Sequence, residues 1–222
     1  MLQESKPSKV KEQSRLYYEI REGILSGRFL PGEKLVVEEL ANSFGSSRTT
    51  VVIALSTLEK EGLLHSEDYK GYKVKKLPLS EALQYLEVRG VLEGYVGRLA
   101  ATLVTDNGIS NLQKSLKQMH YHLNNKDYAE YSKTNAAFHE QLYAIAGNAV
   151  LSDIILNLKA RMVRFQFRTS FIPGRLEESF KEHTAIFEAV KKHDPDVAEK
   201  ALITHVGNIK QVIISNFKLI EG

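Results

Sequence analysis

Three histidines have the residue type and the placement that a shared metal ion requires. His139, His183 and His205 lie on the apolar stripes of three different segments with helical spacing. A single histidine on such a stripe is more often a hydrogen-bonded core residue than a ligand, but three unpaired imidazoles buried together are costly unless one metal satisfies them all. Asn135 lies four residues before His139 and leaves the same helical face. These four residues form a candidate metal site.

The composition of the chain limits the chemistry that it can support. The 222 residues include seven histidines and no cysteine, which excludes a thiolate nucleophile, an iron–sulfur cluster and a cysteine-based zinc finger. Three histidines around a metal with an open coordination position could activate water, so a metalloenzyme is one alternative. Against it, no aspartate or glutamate stands at a spacing that marks it as a general base beside these histidines.

Two arginines are candidates for binding an acidic ligand. Arg89 follows Leu86 by three residues on the stripe of a predicted helix, so it points into the bundle, where a guanidinium suits a carboxylate that also contacts a metal. The competing interpretation is an intrahelical ion pair with Glu93, four residues later. Arg164, one of three arginines spaced by three and four residues, is the second effector-binding candidate, although this spacing is more typical of a solvated face.

A second set of polar residues could contact DNA. The first turn of a predicted helix offers hydroxyls, one guanidinium and free backbone N–H groups to phosphates and guanine edges; its residues are Ser47, Arg48, Thr49 and Thr50. A basic loop between two short predicted strands could touch the flanking DNA backbone; its candidates are Lys70, Gly71 and Lys73. The alternative is a simple helix cap and a solvated basic surface, and the formal net charge of +3 does not by itself indicate nucleic-acid binding.

The elements that would position the second set occupy residues 1–78. The hydrophobic spacing predicts three helices and a hairpin, over about 15–26, 38–44, 48–61, 63–65 and 72–74. Two short helices joined by a tight turn and followed by a hairpin are typical of a winged helix-turn-helix, whose second helix enters the major groove. We therefore predict a DNA-binding domain over 1–78.

The elements that would position the histidines occupy residues 79–222. Six amphipathic segments are predicted, over about 80–104, 107–124, 127–146, 150–170, 176–192 and 195–220. Short loops join them, which predicts an antiparallel helical bundle. The predicted fold class is mainly α, with an N-terminal winged helix-turn-helix and a C-terminal bundle of about six helices.

The amino-acid sequence of the N-terminal segment resembles that of the winged-helix domain of the GntR superfamily of bacterial transcription regulators. The matching pieces are ILSGRFLPGEKL at 24–35, EELANSFGSSRTTV at 38–51, the AL and LEKEGLL pieces within 54–64, and GYKV at 71–74. The resemblance implies that Arg48 and Thr49 read bases and phosphates and that Gly71 forms the wing tip. Val52 and Ile53 stand where the family usually has Arg-Glu, so we expect one fewer phosphate contact and weaker DNA binding.

The helical part resembles the FCD (FadR C-terminal) effector-binding domain of the FadR subfamily. The matching pieces are EVRGVLEGYVGRLAA at 87–101, NAAFHEQLYAIAGN at 135–148, EHTAIFEAV at 182–190 and ALITHV at 201–206. The resemblance implies metal ligands at Asn135, His139, His183 and His205, with zinc or nickel as occupants, and places Arg89 in the effector pocket. Metal-binding members have an aspartate at the first position, so the neutral Asn135 should weaken the site.

These observations lead to one predicted function and one close alternative. We predict a cytoplasmic, homodimeric, ligand-responsive transcription regulator that binds a pseudo-palindromic double-stranded operator and senses a small carboxylate through a divalent metal and Arg89. Repression relieved by the effector is the expected mode. The alternative is a regulator with a metal-free pocket in which Asn135 marks a lost site. No apolar run is long enough for a membrane span, and the polar N-terminus shows no secretory signal.

Overall fold

The computed structural model describes residues 9–67 and 71–218, which divide into two compact units. The first unit joins the chain up to Pro78 with Ala160–Phe167, and the second holds Leu79–Lys159 and the chain from Arg168. The elements up to Pro78 are α1 (Lys9–Ser26), β1 (Lys34–Leu35), α2 (Val37–Phe44), α3 (Arg48–Lys60), β2 (Leu64–Glu67) and β3 (Gly71–Val74).

Helices α2 and α3 form the helix-turn-helix, and local signals define its turn. Gly45 ends α2 in the left-handed region at φ 60°, which glycine adopts without a steric penalty. The Ser47 hydroxyl then accepts a hydrogen bond from the Thr50 amide at 3.2 Å and caps α3. The inner face of α3 packs on α1 in a buried apolar core that includes Leu16, Ile20, Val51, Leu55 and Leu58.

A three-stranded antiparallel sheet completes this part of the first unit. The strand order is β1-β3-β2, and the register places Lys34 opposite Lys73 and Leu64 opposite Val74. Gly71 starts β3 at φ 91°, where a side chain would be strained and its Cβ would lie 3.3 Å from a carbonyl oxygen of β1. The hairpin that should form the wing therefore requires glycine where β3 begins.

Within the described residues, the chain from Leu79 forms seven helices. They are α4 (Leu79–Leu103), α5 (Asp106–Asn124), α6 (Tyr128–Ala146), α7 (Ala149–Arg161), α8 (Val163–Thr169), α9 (Arg175–Lys191) and α10 (Pro195–Ser215). The structure confirms the predicted mainly α fold, with a winged helix-turn-helix followed by a helical domain.

The prediction of one continuous helix over 150–170 is wrong. The helix is interrupted at Met162, between α7 and α8, although neither proline nor glycine lies there. Met162 is fully buried, and the surrounding segment Ala160–Phe167 belongs to the first unit, where Phe167 packs against the apolar core. Tertiary packing, which the local sequence does not encode, accounts for the break.

Helix α4 lies close along α10 because small residues face the contact. A Cβ on Gly97 would lie only 2.6 Å from the carbonyl oxygen of Ala198. At the other end of the contact, the Lys210 ammonium donates to the Glu87 carboxylate at 2.7 Å, so the two helices run antiparallel. This packing holds the helix that carries the arginine candidate against the helix that carries the third histidine.

Several other helix ends also follow local signals. The carboxylates of Asp127 and Asp194 accept hydrogen bonds from backbone amides at the starts of α6 and α10, and Pro195 occupies the first turn of α10. Gly147 closes α6 in the left-handed region. None of the helices in the described ranges is long and apolar enough to cross a membrane.

Candidate metal centre and nucleic-acid interface

The three predicted histidines converge inside the second unit, from α6, α9 and α10. His139, His183 and His205 are all buried, and their ligand atoms lie within 4.8 Å of one another. The Nε2 atoms of His139 and His183 are 3.0 Å apart. Two nitrogens bound to one zinc ion at about 2.0–2.1 Å lie about 2.8–3.4 Å apart at octahedral or tetrahedral angles. One metal ion could therefore bridge this separation.

Hydrogen bonds donated by Nδ1 orient two of the three imidazole rings. His183 donates from Nδ1 to the carbonyl oxygen of Ser179 at 2.5 Å, and His205 donates from Nδ1 to a carboxylate oxygen of Glu182 at 2.6 Å. In the neutral form of each ring, the lone pair therefore lies on Nε2. Burial lowers the pKa of His183 to about 3, so this imidazole is neutral at physiological pH.

Glu182 supports His205 as a fully hydrogen-bonded carboxylate. Arg175 donates to both of its oxygens at 3.0 Å, and Asn208 donates to one of them at 2.9 Å. Burial alone would raise the pKa of Glu182, but the hydrogen bonds from His205 and Arg175 lower it to about 2. The sequence analysis missed this pair, although Arg175 and Glu182 lie seven residues apart on one face of α9.

The hydrogen bonding of the third ring, His139, is unfavourable. Its Nδ1 is buried without a hydrogen-bond partner, and so is Oε2 of Glu93, 3.8 Å away. Because His183 Nε2 carries a lone pair, the 3.0 Å contact requires the His139 proton on Nε2, and the Nδ1 lone pair then faces the carboxylate. Burial also holds the pKa of His139 well below its usual value, so a second proton does not relieve the conflict.

Asn135 supplies the fourth predicted ligand position on α6. Its Oδ1 is buried and has no hydrogen-bond partner, one helical turn before His139. A buried amide oxygen without a partner is unusual, because the great majority of such atoms are hydrogen-bonded. The donor set of three imidazoles and one free amide oxygen therefore fits a divalent metal ion.

Arg89 forms the intrahelical ion pair with Glu93 that was the alternative to a role in effector binding. One of its nitrogen atoms remains without a hydrogen-bond partner. Its Nε and Nη2 donate to one oxygen of Glu93 at 2.9 and 2.7 Å, and both side chains are buried. Burial would raise the pKa of Glu93, but the Arg89 guanidinium holds it below its usual value. Arg89 Nη1 is buried and has no partner, so one N–H edge is available to a ligand.

Lys159 and Tyr143 form a further part of this site that the sequence analysis missed. The Lys159 ammonium donates to the Tyr143 hydroxyl at 3.3 Å, and the Tyr143 ring centroid is 6.2 Å from that of His139. Lys159 follows Ile155 by one helical turn on the buried stripe of α7, and a lysine on an apolar stripe is the signal that could have identified it.

The second arginine candidate, Arg164, lies in α8. Its side chain is outside what the structure describes, and its backbone belongs to the segment that packs in the first unit. Its role in effector binding stays a prediction.

The predicted DNA-contacting residues divide into exposed and buried groups at the start of α3. Ser47, Arg48 and Thr49 are exposed, and Arg48 forms an ion pair with Glu38 of α2. Thr50 is 8% exposed, and its hydroxyl is hydrogen-bonded to that of Ser47 at 2.8 Å. The hydroxyl of Thr50 is therefore positioned to support the cap, whereas the neighbouring side chains face solvent.

The outer face of α3 and the wing complete the candidate DNA interface. Val52 and Ile53 are 41% and 42% exposed, so the positions that lack the usual charged residues present apolar side chains to solvent. Gly71 and Lys73 lie in β3, and Lys70 falls outside the described residues. The DNA contacts of the individual residues stay predictions.

Two family models match the chain, one for each part of this architecture. The model described as bacterial regulatory proteins, gntR family, matches residues 12–74, and the FCD domain model matches residues 84–208. Together with the folds, these matches define a DNA-binding transcription regulator with a helical effector domain, which is not an enzyme. The chain belongs to the gntR family of bacterial regulatory proteins and has the FCD architecture.

Relatives over nearly the whole chain carry regulator names. The HTH-type transcriptional regulator LutR of Bacillus subtilis is 30% identical over 216 residues, covering 88% of this chain and 98% of LutR. The repressor RspR of Escherichia coli is 27% identical over 199 residues, covering 90% and 87% of the two chains. The galactonate operon transcriptional repressor of Escherichia coli is 23% identical over 216 residues, covering 87% and 93%.

Solved structures support the fold. The E. coli McbR/YncC structure matches with a TM-score of 0.75 at 20% identity, covering 93% of this chain and 98% of that one. A GntR transcriptional regulator from Rhodococcus sp. RHA1 matches with a TM-score of 0.68 at 17% identity, covering 92% and 98%.

Proposed function

We propose that this chain is a homodimeric repressor whose DNA binding responds to a small carboxylate, sensed through a divalent metal. Asn135, His139, His183 and His205 would hold the ion, which is zinc or nickel, and Arg89 would hold the carboxylate. A bound ion supplies a positive centre to which a second carboxylate oxygen binds. The effector changes DNA affinity by favouring whichever conformation of the protein it binds better.

The unsatisfied contact between His139 and Glu93 is the observation that carries the metal proposal. If Nε2 of His139 coordinates a metal, its proton moves to Nδ1, which faces Oε2 of Glu93 at 3.8 Å. A small ring movement then makes a hydrogen bond from two atoms that are otherwise buried without partners. The same tautomer is already fixed in His183 and His205 by their acceptors.

Arg89 supports a carboxylate as the effector. Its buried Nη1 has no partner beside the histidine cluster, and a guanidinium edge and a metal can share the two oxygens of one carboxylate. The name of one relative, the galactonate operon transcriptional repressor, connects that protein with a sugar acid, which is a carboxylate. The metal-free regulator of the sequence analysis would use the same arginine without the ion.

Helix α3 and the wing are proposed to read the operator. Arg48 and Thr49 would contact bases and phosphates in the major groove, while Lys70 and Lys73 would contact the flanking backbone. A two-fold dimer presents two such helices, which matches a pseudo-palindromic site. Such a protein acts where the DNA is, in the bacterial cytoplasm.

An exposed apolar face on α4 and α10 supports the homodimer. Val88, Val91 and Tyr95 are exposed along one side of α4, and Ile203 and Ile214 are exposed along α10. In each helix, the exposed apolar row lies next to the face that contacts the other helix, in the same rotational direction about the helix axis. Because the two helices run antiparallel, the two rows lie on the same side of the helix pair. Contiguous exposed apolar surface of this kind is typical of a protein interface.

Metal analysis of untagged protein tests the metal proposal. The wild type and the exposed control His65→Ala should retain about one equivalent, whereas His139→Ala should lose the ion. Asn135→Asp should hold the ion against a chelator more tightly, on the order of tenfold, because it adds a negative ligand charge. Less than one tenth of an equivalent in the wild type, with none retained after soaking in zinc or nickel, would favour the metal-free regulator.

A gel shift with the promoter of the protein's own gene tests DNA reading. Arg48→Ala should weaken binding by about tenfold or more, because one arginine contact to a base contributes about that much discrimination. Lys114→Ala removes an exposed charge from α5 in the second unit and serves as the control. Unchanged binding by Arg48→Ala would show that α3 is not the recognition helix.

A further inference from the structure

Lys159 places a positive charge at the α6/α7 side of the histidine site. Its ammonium lies 3.3 Å from the Tyr143 hydroxyl and 5.4 Å from the centroid of the Tyr143 ring. Tyr143 in turn packs beside His139, with 6.2 Å between ring centroids. The ammonium is therefore separated from the metal ligands by one aromatic side chain.

This partly buried ammonium lacks the carboxylate partner that the two buried arginines of the site have. Arg89 is paired with Glu93 and Arg175 with Glu182, each at hydrogen-bond distance. In the part of the chain that the structure describes, Lys159 forms no ion pair. Burial lowers the pKa of Lys159 to about 8, and the attraction of Glu93 and of Glu140 offsets this only in part. A buried charge without a close partner is costly, and an anionic ligand relieves that cost.

The balance of charges around the histidines leaves room for more than one negative group. The two arginine–carboxylate pairs are neutral in sum, Asn135 contributes an uncharged oxygen, and a divalent ion would add two positive charges. Lys159 adds a further positive charge, and Arg89 Nη1 remains a buried donor without a partner. Even with the charge of Glu140 counted, a monocarboxylate would leave part of this positive charge unmatched.

We propose that the effector is a small dicarboxylate, with one carboxylate at the histidines and Arg89 Nη1 and the other on the Lys159 ammonium beside the Tyr143 hydroxyl. This inference rests on the proposed carboxylate-sensing function and narrows its ligand class. Lys159 is then the residue that distinguishes a dicarboxylate from a monocarboxylate of the same length, because only the former has an anionic group to meet it.

Calorimetric titration of the full-length protein, as purified and with zinc added, tests this class. The probes are dicarboxylates and monocarboxylates matched in carbon number: succinate with butyrate, glutarate with pentanoate, and malate with 3-hydroxybutyrate. At least one dicarboxylate should bind about tenfold more tightly than its partner, as expected for one additional charge-assisted hydrogen bond.

Substitutions at Lys159 assign that preference to one side chain. Lys159→Met keeps the length of the stem and should abolish the preference, so that the two acids of each pair bind with affinities within about twofold of each other. Lys159→Arg should keep the preference, and Lys117→Met, an exposed lysine on α5, should change neither affinity. Thermal unfolding should place Lys159→Met at or above the wild type, because the variant removes an unpaired buried charge.

The outcomes separate this inference from the function on which it rests. If both acids of every pair bind equally well, or if Lys159→Met keeps the preference, the dicarboxylate inference is overturned and carboxylate sensing stands. If no acid of either class binds at millimolar concentration, both the inference and the proposed carboxylate sensing are overturned.

Discussion

The proposed ligand site and the proposed recognition helix α3 differ in the distribution of their charged side chains. Three positive and two negative side chains lie around the histidines: Arg89, Glu93 and Arg175 are buried, and Lys159 and Glu182 are partly buried. The outer face of α3 instead presents Val52 and Ile53, and the one arginine at its start is paired with Glu38. Charge is thus concentrated where desolvation strengthens each interaction, while the face of α3 that is predicted to meet a polyanion carries little net charge.

The largest effect should come from breaking the buried ion pair on α4. Arg89→Met leaves the Glu93 carboxylate without its main partner in the interior, and we expect metal-free protein to lose about 3 kcal/mol or more of unfolding free energy at pH 7. Urea denaturation measures this loss. The double variant Arg89→Met with Glu93→Leu should recover most of the stability, whereas Lys133→Ala, which breaks an exposed pair, should have far less effect. A loss below about 1 kcal/mol for Arg89→Met would contradict this picture of the site.

A smaller effect should appear as a pH dependence that Lys159 confers on stability. Its folded-state pKa of about 8 lies below the ordinary value of 10.5, so between these values the unfolded chain binds more protons than the folded one. The unfolding free energy should therefore rise with pH by up to about 1.4 kcal/mol per unit between pH 8 and 10.

The comparison that isolates this contribution is with Lys159→Met. The variant should be more stable than the wild type at pH 7, and its advantage should shrink as the pH approaches 10. Urea denaturation at four pH values measures the difference, in which tyrosine ionisation cancels. Parallel curves for the two proteins would mean that the ammonium is not desolvated.

Restoring charge to the recognition helix should have the third largest effect. Val52→Arg adds a cation at an exposed position of α3 and should steepen the salt dependence of DNA binding by about one unit, which strengthens binding about five- to tenfold near 0.1 M salt. Gel shifts between 50 and 200 mM salt measure the slope. Gln113→Arg adds the same charge to an exposed position of α5 and should not change it.

The smallest effect should come from freeing the arginine of α3. Glu38→Gln removes the carboxylate that pairs with Arg48, and DNA binding should strengthen by about two- to fivefold, as expected for an exposed ion pair that competes with DNA. The same gel shift measures it, with Glu39→Gln as the neighbouring control. If both variants behave alike, the Arg48–Glu38 pair does not compete with DNA.

Local signals predicted the recognition helix and the positions of the three histidines. Gly45 and Ser47 mark the turn through short-range backbone and side-chain preferences, so the start of α3 at Arg48 follows from adjacent residues. The convergence of His139 with the other two histidines follows from apolar stripes at helical spacing, because each stripe must face the same core.

Contacts between residues of different helices could not be predicted from the sequence in the same way. Lys159 meets Tyr143 across two helices, and the Glu182 carboxylate meets His205 from another helix, so no spacing within one segment reveals either contact. The break at Met162 has no helix-breaking residue, because packing in the other unit causes it. Sequence periodicity defines which face of a helix is buried, but it does not identify the partner on the other side.

The packing of Ala160–Phe167 with the first unit has a consequence for anyone who separates the two units. The chain passes from one unit to the other at Pro78, again after Lys159, and once more after Phe167. A fragment cut after Pro78 would carry the whole helix-turn-helix but would lack a segment whose Phe167 packs on its apolar core. The first unit is therefore built from two separate stretches of the chain. A DNA-binding fragment that keeps the whole first unit has to include residues 160–167.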